Sequence, residues 1–307
     1  MSSTPLSAAP RSERLVRLQA DGALSLVTAF WGITFVVVKD ALGHGDPFSF
    51  LALRFVIGAL VLSALARRQV LLPENLRRGA LLGGFLFLGF VFQTTGLTDT
   101  TPSRSAFITG LAVVLVPLWS LLLFRRVPRV TSLLGVALAT VGLYYLTRPD
   151  LDGGGGFSRG DVLTVFGAAA YSLHICLTER FAARDGVTGL VAVQLWVVAL
   201  LSALCLPFVE VHVAWTPAFV GAFLFCGIFA SAGALTVQTW GQARTTAVRA
   251  ALIYSMESVF ASTYSVLLGY ETLGPREWSG GALIVSGVLL SEVGAVALER
   301  WRSRAVA

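Results

Sequence analysis

Ten stretches of this chain are each long and apolar enough to cross a bilayer, and no water-soluble fold could bury ten of them. They run over 22–38, 48–66, 79–97, 105–124, 131–147, 162–178, 187–206, 217–240, 250–270 and 278–298. In hydrocarbon every backbone N–H and C=O must find its partner within the protein, so segments of this length become helices. Barrel strands would alternate apolar and polar residues, and these runs do not. Composition agrees: 55% of the 307 residues are hydrophobic and only 13% charged. The charged share is roughly half of that usual in soluble domains. The expected fold class is an all-α membrane protein with ten transmembrane helices.

A net charge of +6 would suggest nucleic acid in a soluble chain. Here the arginines stand in short clusters between apolar runs, where they set topology, so no nucleic-acid partner is expected. Counted by side, 17 Lys and Arg fall on the face of the N-terminus and five on the other, with Arg54 inside a span. Basic residues stay on the cytoplasmic side, which places both termini inside. Arg11, Arg14 and Arg17 ahead of the first run resemble the start of a secretory signal. No small-x-small cleavage site follows, so an uncleaved first helix is expected. Residues 1–20 read as a disordered cytoplasmic tail and 299–307 as a basic one. Cys176, Cys205 and Cys226 lie in apolar runs as small hydrophobes, without disulfide or metal spacing.

An internal repeat organises the ten runs. Residues 93–142 match 238–287 at a constant offset of 145 without a gap, with 16 identities in 50 positions. Shared Leu and Ala would mean little between membrane segments. Gln93 with Gln238, Thr94 with Thr239, Thr100 and Thr101 with Thr245 and Thr246, and Arg104 with Arg249 mean more. The earlier runs align more weakly at an offset of 140, which sets Trp31 on Tyr171, Lys39 on Glu179 and Arg54 on Gln194. Each half, 21–148 and 161–298, then holds five helices, joined by an outer linker over 149–160 that contains four glycines at 153–156. Five is odd, so the second half enters the membrane from the opposite side, and Arg126 on the inner face becomes Glu271 on the outer one. Inverted repeats of this kind pack in two equivalent ways, opening a midplane cavity first to one face and then to the other.

Polar residues inside such runs are costly and mark candidate function. Glu257 lies about 10 Å deep, at ~1.5 Å per residue. It belongs to a small, polar helix face with Tyr254, Ser258, Ala261, Ser262 and Ser265 that points to the bundle interior. It is a candidate for binding a substrate amine or carrying a coupling proton. Arg54, roughly 9 Å deep by the same rise, could pair with Glu257, meet a substrate carboxylate or snorkel to the surface. His174 is a second proton-coupling candidate, with a buried hydrogen-bonded role as its competitor. Gln93 and Gln238 are candidate gate or cavity groups, and Trp31 and Tyr171 candidate aromatic walls. Gly135 and Gly142, with counterparts Gly280 and Gly287, permit close helix contact within the chain or between subunits.

The segment Trp31-Gly32-Ile33-Thr34-Phe35-Val36-Val37-Val38-Lys39 resembles the first-helix motif of the EamA-type branch of the drug/metabolite transporter superfamily. Leu53-Arg54-Phe55, Ser105-Ala106-Phe107 leading to Val116-Pro117, Met256-Glu257-Ser258, and Gly269-Tyr270-Glu271 extend the resemblance over roughly residues 20–298. Two departures stand out. The family's Glu-Pro is Glu257-Ser258 here, which would stiffen the ninth helix, and the acidic residue after helix 4 is replaced by Arg125-Arg126. The resemblance implies export or exchange of a small organic metabolite, amino-acid-like or drug-like, with no cofactor and no metal. The expected setting is the cytoplasmic (inner) membrane of a bacterium, with the lipid bilayer and a small-molecule substrate as partners, as monomer or homodimer. A channel or membrane sensor is the alternative, and a membrane-embedded enzyme a more distant one. No H-E-x-x-H, no G-x-S-x-G and no paired intramembrane aspartates occur, so an enzyme is not expected; nor is there a P-loop to drive a pump.

Overall fold

The computed structural model describes residues 11–147, 158–182, 186–270 and 272–305. Every element among them is helical, apart from an isolated bridge between Gly45 and Val213. The α-helices are α1 (Arg11–Ala41), α2 (Pro47–Ala66), α3 (Pro73–Thr98), α4 (Pro102–Gly110), α5 (Ala112–Phe124), α6 (Val130–Thr147) and α7 (Arg159–Phe181). They continue with α8 (Val187–Cys205), α9 (Pro217–Phe225), a π-helical stretch (Cys226–Gly233), α10 (Ala234–Gln242), α11 (Ala247–Tyr254), α12 (Glu257–Leu267) and α13 (Pro275–Ala305). Among the described residues seven segments are long and apolar enough to cross a membrane, and α6 adds a shorter apolar helix. Leu65, Leu122, Leu200 and Leu267 are among the large apolar side chains left exposed on the bundle surface, as lipid contact requires.

The helix starts are chemically specified. α2, α3, α4 and α9 each place a proline in the first turn, where a missing N–H removes a donor that would have no intrahelical partner. Asp46, Thr101, Ser158, Thr216 and Thr246 then accept the backbone N–H three residues on. The expected spans are displaced at their ends. α1 begins at Arg11, inside the segment read as a tail, α13 runs to Ala305 through the expected C-terminal tail, and α7 begins at Arg159 inside the expected linker. Amphipathic flanks extend these helices beyond the apolar window that hydropathy recognises. Residues 1–10, the glycines 153–156 and Glu271 lie outside the described residues.

Packing follows the repeat. α6 lies along α13 and α2 along α8, each helix against its own counterpart. The α3–α7 contact has its image in α1 against α9, the π stretch and α10. Likewise α5–α7 is mirrored by α12–α1, and α4–α12 by α11–α5. Glycines set the closest approach: a Cβ on Gly135 would stand 2.6 Å from the Gly287 carbonyl oxygen, and one on Gly142 2.6 Å from that of Gly280. These small-residue faces are therefore used within the chain, not between subunits.

Two helices are broken at matched places. α4 gives way to α5 at Leu111 and α11 to α12 at Ser255–Met256, one 145-residue offset apart. At both, the backbone tightens by an i→i−3 bond, Leu111 N–H to Ile108 O at 3.1 Å and Met256 N–H to Ile253 O at 3.1 Å. Pro117 sits inside α5, away from the break. Nor does Ser258 stiffen the ninth segment, since the interruption lies just upstream and Ser258 instead donates to the Ala106 carbonyl at 2.9 Å.

Candidate functional site

A cavity forms where the two breaks meet α1, α2, α3, α7 and α10. Its volume is about 70 Å³, several times what one water needs. Trp31, Arg54, Gln93, Tyr171, His174, Gln238, Tyr254 and Glu257 all line it, whereas Ser258, Ala261, Ser262 and Ser265 of the polar α12 face do not. Thr34, Phe90, Thr109, Gly110, Ala112 and Ser255 complete much of the wall.

The wall is built from two related clusters. On one side Gln93 donates to Thr109 Oγ1 at 2.9 Å and accepts from the Tyr171 hydroxyl at 3.1 Å. The counterparts of these three residues under the repeat are Gln238, Tyr254 and Trp31, and they too lie together. Trp31 and Tyr254 pack edge to face with ring centroids 5.6 Å apart. The Tyr254 hydroxyl and the Gln238 side chain are buried there beside one another. Trp31 is held from behind by donation to the Ala230 carbonyl at 3.0 Å.

Arg54 does not snorkel. Only 2% of it is exposed, its Nε donates to Ser231 Oγ at 2.8 Å, and its guanidinium lies 5.2 and 4.7 Å from the Phe55 and Phe90 ring centres. Cation–π contact of this kind stabilises a desolvated guanidinium by roughly 2 kcal/mol. Among the described residues no carboxylate lies within 4.0 Å of Arg54, so the pairing with Glu257 weighed from the sequence is not formed. Glu257 is half-buried, opens into the same cavity, and has no hydrogen-bond or ion-pair partner among the described residues. His174 is committed, with Nε2 donating to Gln194 Oε1 at 2.8 Å, as its competing structural reading holds. The π-helical stretch sets the Ser231 hydroxyl against Arg54 and the Ala230 carbonyl against Trp31, and no sequence signal announces a π turn.

At one end of the bundle a polar vestibule of about 1200 Å³ opens, lined by Arg17, Arg126, Arg129, Arg244 and Arg249 with Glu179. Consecutive turns of α11 pass from it to the cavity, Thr246, Val248 and Arg249 at the vestibule, then Ala251 and Tyr254 at the cavity wall.

A multi-pass helical membrane protein with a polar cavity at matched helix breaks has the architecture of a solute transporter. The comparisons make this specific: residues 19–148 and 158–292 each match the EamA-like transporter family, and the chain belongs to that family. A protein of Archaeoglobus fulgidus named "uncharacterized transporter" is 34% identical, with 91% of this chain and 87% of that protein aligned. A Salmonella typhimurium protein named "probable amino-acid metabolite efflux pump" is 28% identical over 89% of this chain and 95% of its own length. One solved crystal structure superimposes with a TM-score of 0.74 at 25% identity, covering 94% of this chain and 99% of that one.

Proposed function

We propose that this transporter exports or exchanges a small amino-acid-like metabolite by alternating access, crossing the membrane ten times with both termini cytoplasmic. Its halves, 21–148 and 161–298, are inserted in opposite senses, in the inner membrane of a bacterium. The observation that carries the substrate reading is the pair of cavity charges. A buried Arg54 without a carboxylate and a Glu257 without a cation face one small space. Charges taken out of water stabilise a site only when something of opposite sign completes them. A zwitterion does so at both ends, its carboxylate on the Arg54 fork and its amine on Glu257. The name of the Salmonella relative points the same way. Glu257 is also the leading group for a coupled proton, with His174 second to it because of the Gln194 bond.

Counterflow into proteoliposomes tests this with three sets of solutes: amino acids, the amines left by decarboxylation, and the acids left by removing the amine. Each is run with and without a pH gradient. Zwitterions are expected to exchange at least about tenfold faster than either single-charge set, the cost of leaving one buried charge unpaired. Equal rates for all three sets would overturn the substrate class. No exchange of any solute under either condition would overturn the transporter mechanism.

A further inference from the structure

We infer that Arg104–Asp161 and Arg249–Asp21 are reciprocal latches, positioning residues that close the two ends of the central cavity in turn. Each joins one half to the other. Arg104 on α4 bonds Asp161 on α7, and Arg249 on α11 bonds Asp21 on α1. The arginines correspond at the 145-residue offset, and the aspartates at 140. The two pairs are thus images of one another under the repeat.

They stand at opposite ends of the bundle. Lys39, near the end of α1, donates to the carbonyls of Leu97, Thr98 and Thr100 at 2.7, 3.0 and 3.0 Å, in the turn that leads to Arg104. Asp21 lies 18 residues earlier on the same straight element. At 1.5 Å per residue that is about 27 Å, close to the thickness of the hydrocarbon core.

The two latches are not in the same state. Asp161 is fully buried and uses both oxygens. It takes Arg104 Nε at 2.9 Å and Nη2 at 2.8 Å, the Thr100 hydroxyl at 3.0 Å and the Ser158 N–H at 2.8 Å. Asp21 accepts Arg249 Nη2 at 2.5 Å on one oxygen, while its Oδ1 is buried and has no hydrogen-bond partner. The vestibule opens at the Arg249 end, with Arg249 in its wall. One end is therefore bolted and the other half-released, as expected of a bundle caught open toward the Arg249 face. Thr245 is the counterpart of Thr100, so closure at that end would bring a matching hydroxyl to the idle Asp21 oxygen. Because the pairs are equivalent, what one gains on closing the other loses, and neither end is held shut permanently.

This rests on the alternating-access reading above and is tested separately from it. A Thr34→Cys thiol in the cavity wall is labelled with a membrane-impermeant maleimide, from the outside of intact cells and from the inside of inverted vesicles. The same chain without that substitution, retaining Cys176, Cys205 and Cys226, sets the background. Asp161→Asn is expected to raise labelling from the Arg104 face about tenfold, and Asp21→Asn to lower it by a similar factor, as losing one charge-assisted bond shifts a two-state balance. Should Asp161→Asn not fold, Thr100→Val removes one of its donors and must move labelling the same way, by a smaller factor. A purely structural role would reduce folded protein in both variants without opposite shifts. Labelling of the parent chain from both faces, with the two variants moving together or not at all, overturns the latches alone. Labelling of the parent from one face only, whatever the pH gradient, overturns alternating access itself.

Discussion

The two halves of this transporter agree in some places and differ in others, and the division separates mechanics from chemistry. Matched positions hold the helices and their breaks: Thr101 and Thr246 cap half-helices, Leu111 and Met256 mark the interruptions, and Gly135 and Gly142 pack on Gly287 and Gly280. A device that must pack in two equivalent ways needs these parts twice. The cavity charges are not doubled. Arg54 corresponds to Gln194, which is spent on His174, and Glu257 corresponds to Ala112, which merely lines the wall. A zwitterion of the proposed kind, lying across the axis, would need one cation and one anion, and each half supplies one of them.

Making the halves alike at the charges is the sharpest way to break this comparison. Arg54→Gln copies Gln194 and removes the one guanidinium fork that lines the cavity among the described residues. Exchange of amino acids in proteoliposomes is expected to fall on the order of 100-fold, about 3 kcal/mol. A fall of less than threefold would remove Arg54 from the site. Glu257→Ala copies Ala112 and should act on selectivity. Exchange of zwitterions drops roughly tenfold while acids lacking the amine lose little, so most of the preference for zwitterions over those acids disappears. Glu257→Gln keeps the shape and loses the charge; transport and pH dependence unchanged in that variant would end any substrate or proton role for Glu257.

Much of this was legible beforehand because a membrane chain writes its structure in one dimension. Apolar runs mark the crossings, and a polar residue within a run is costly enough to mean something, which is why all eight candidate residues reached one cavity. What stayed hidden depends on three-dimensional placement. The depth of Arg54 suggested snorkelling, but Ser231, 177 residues away, and two phenylalanine rings hold it inward. The first break falls at Leu111, where no residue type announces it. Asp21 and Asp161 carry no signal of their own in the sequence and gain meaning only with their arginines beside them.

Matched positions should respond to substitution in matched ways, by packing and not by transport. Gly135→Ala and Gly142→Ala each press a methyl group into a backbone carbonyl on α13, and overpacking of that kind costs about 1–3 kcal/mol. Gly84, with nothing within 4 Å of an added Cβ, is the control. Thermal unfolding in detergent should fall by several degrees for the first two and stay level for Gly84→Ala.

The smallest expected effect tests the comparison where the halves solve one problem with opposite charges. Lys39 and Glu179 occupy equivalent places, but Lys39 donates to carbonyls at the C-terminal end of α3, whereas Glu179 accepts the Ala247 N–H at the start of α11, 2.9 Å away. Positive charge suits a helix C-terminus and negative charge an N-terminus, each by roughly 0.3–1 kcal/mol. Glu179 also meets Arg126 at 2.8 Å, an exposed contact of little further worth. Glu179→Gln keeps an acceptor for Ala247 and loses only the charge, so it should lower the unfolding temperature by a degree or two and leave exchange intact. Glu179→Lys sets a cation against the α11 N-terminus and should lower it further. If Lys proved as good as Glu there, the two junctions would be electrostatically interchangeable, and the sign reversal between the halves would carry no structural meaning.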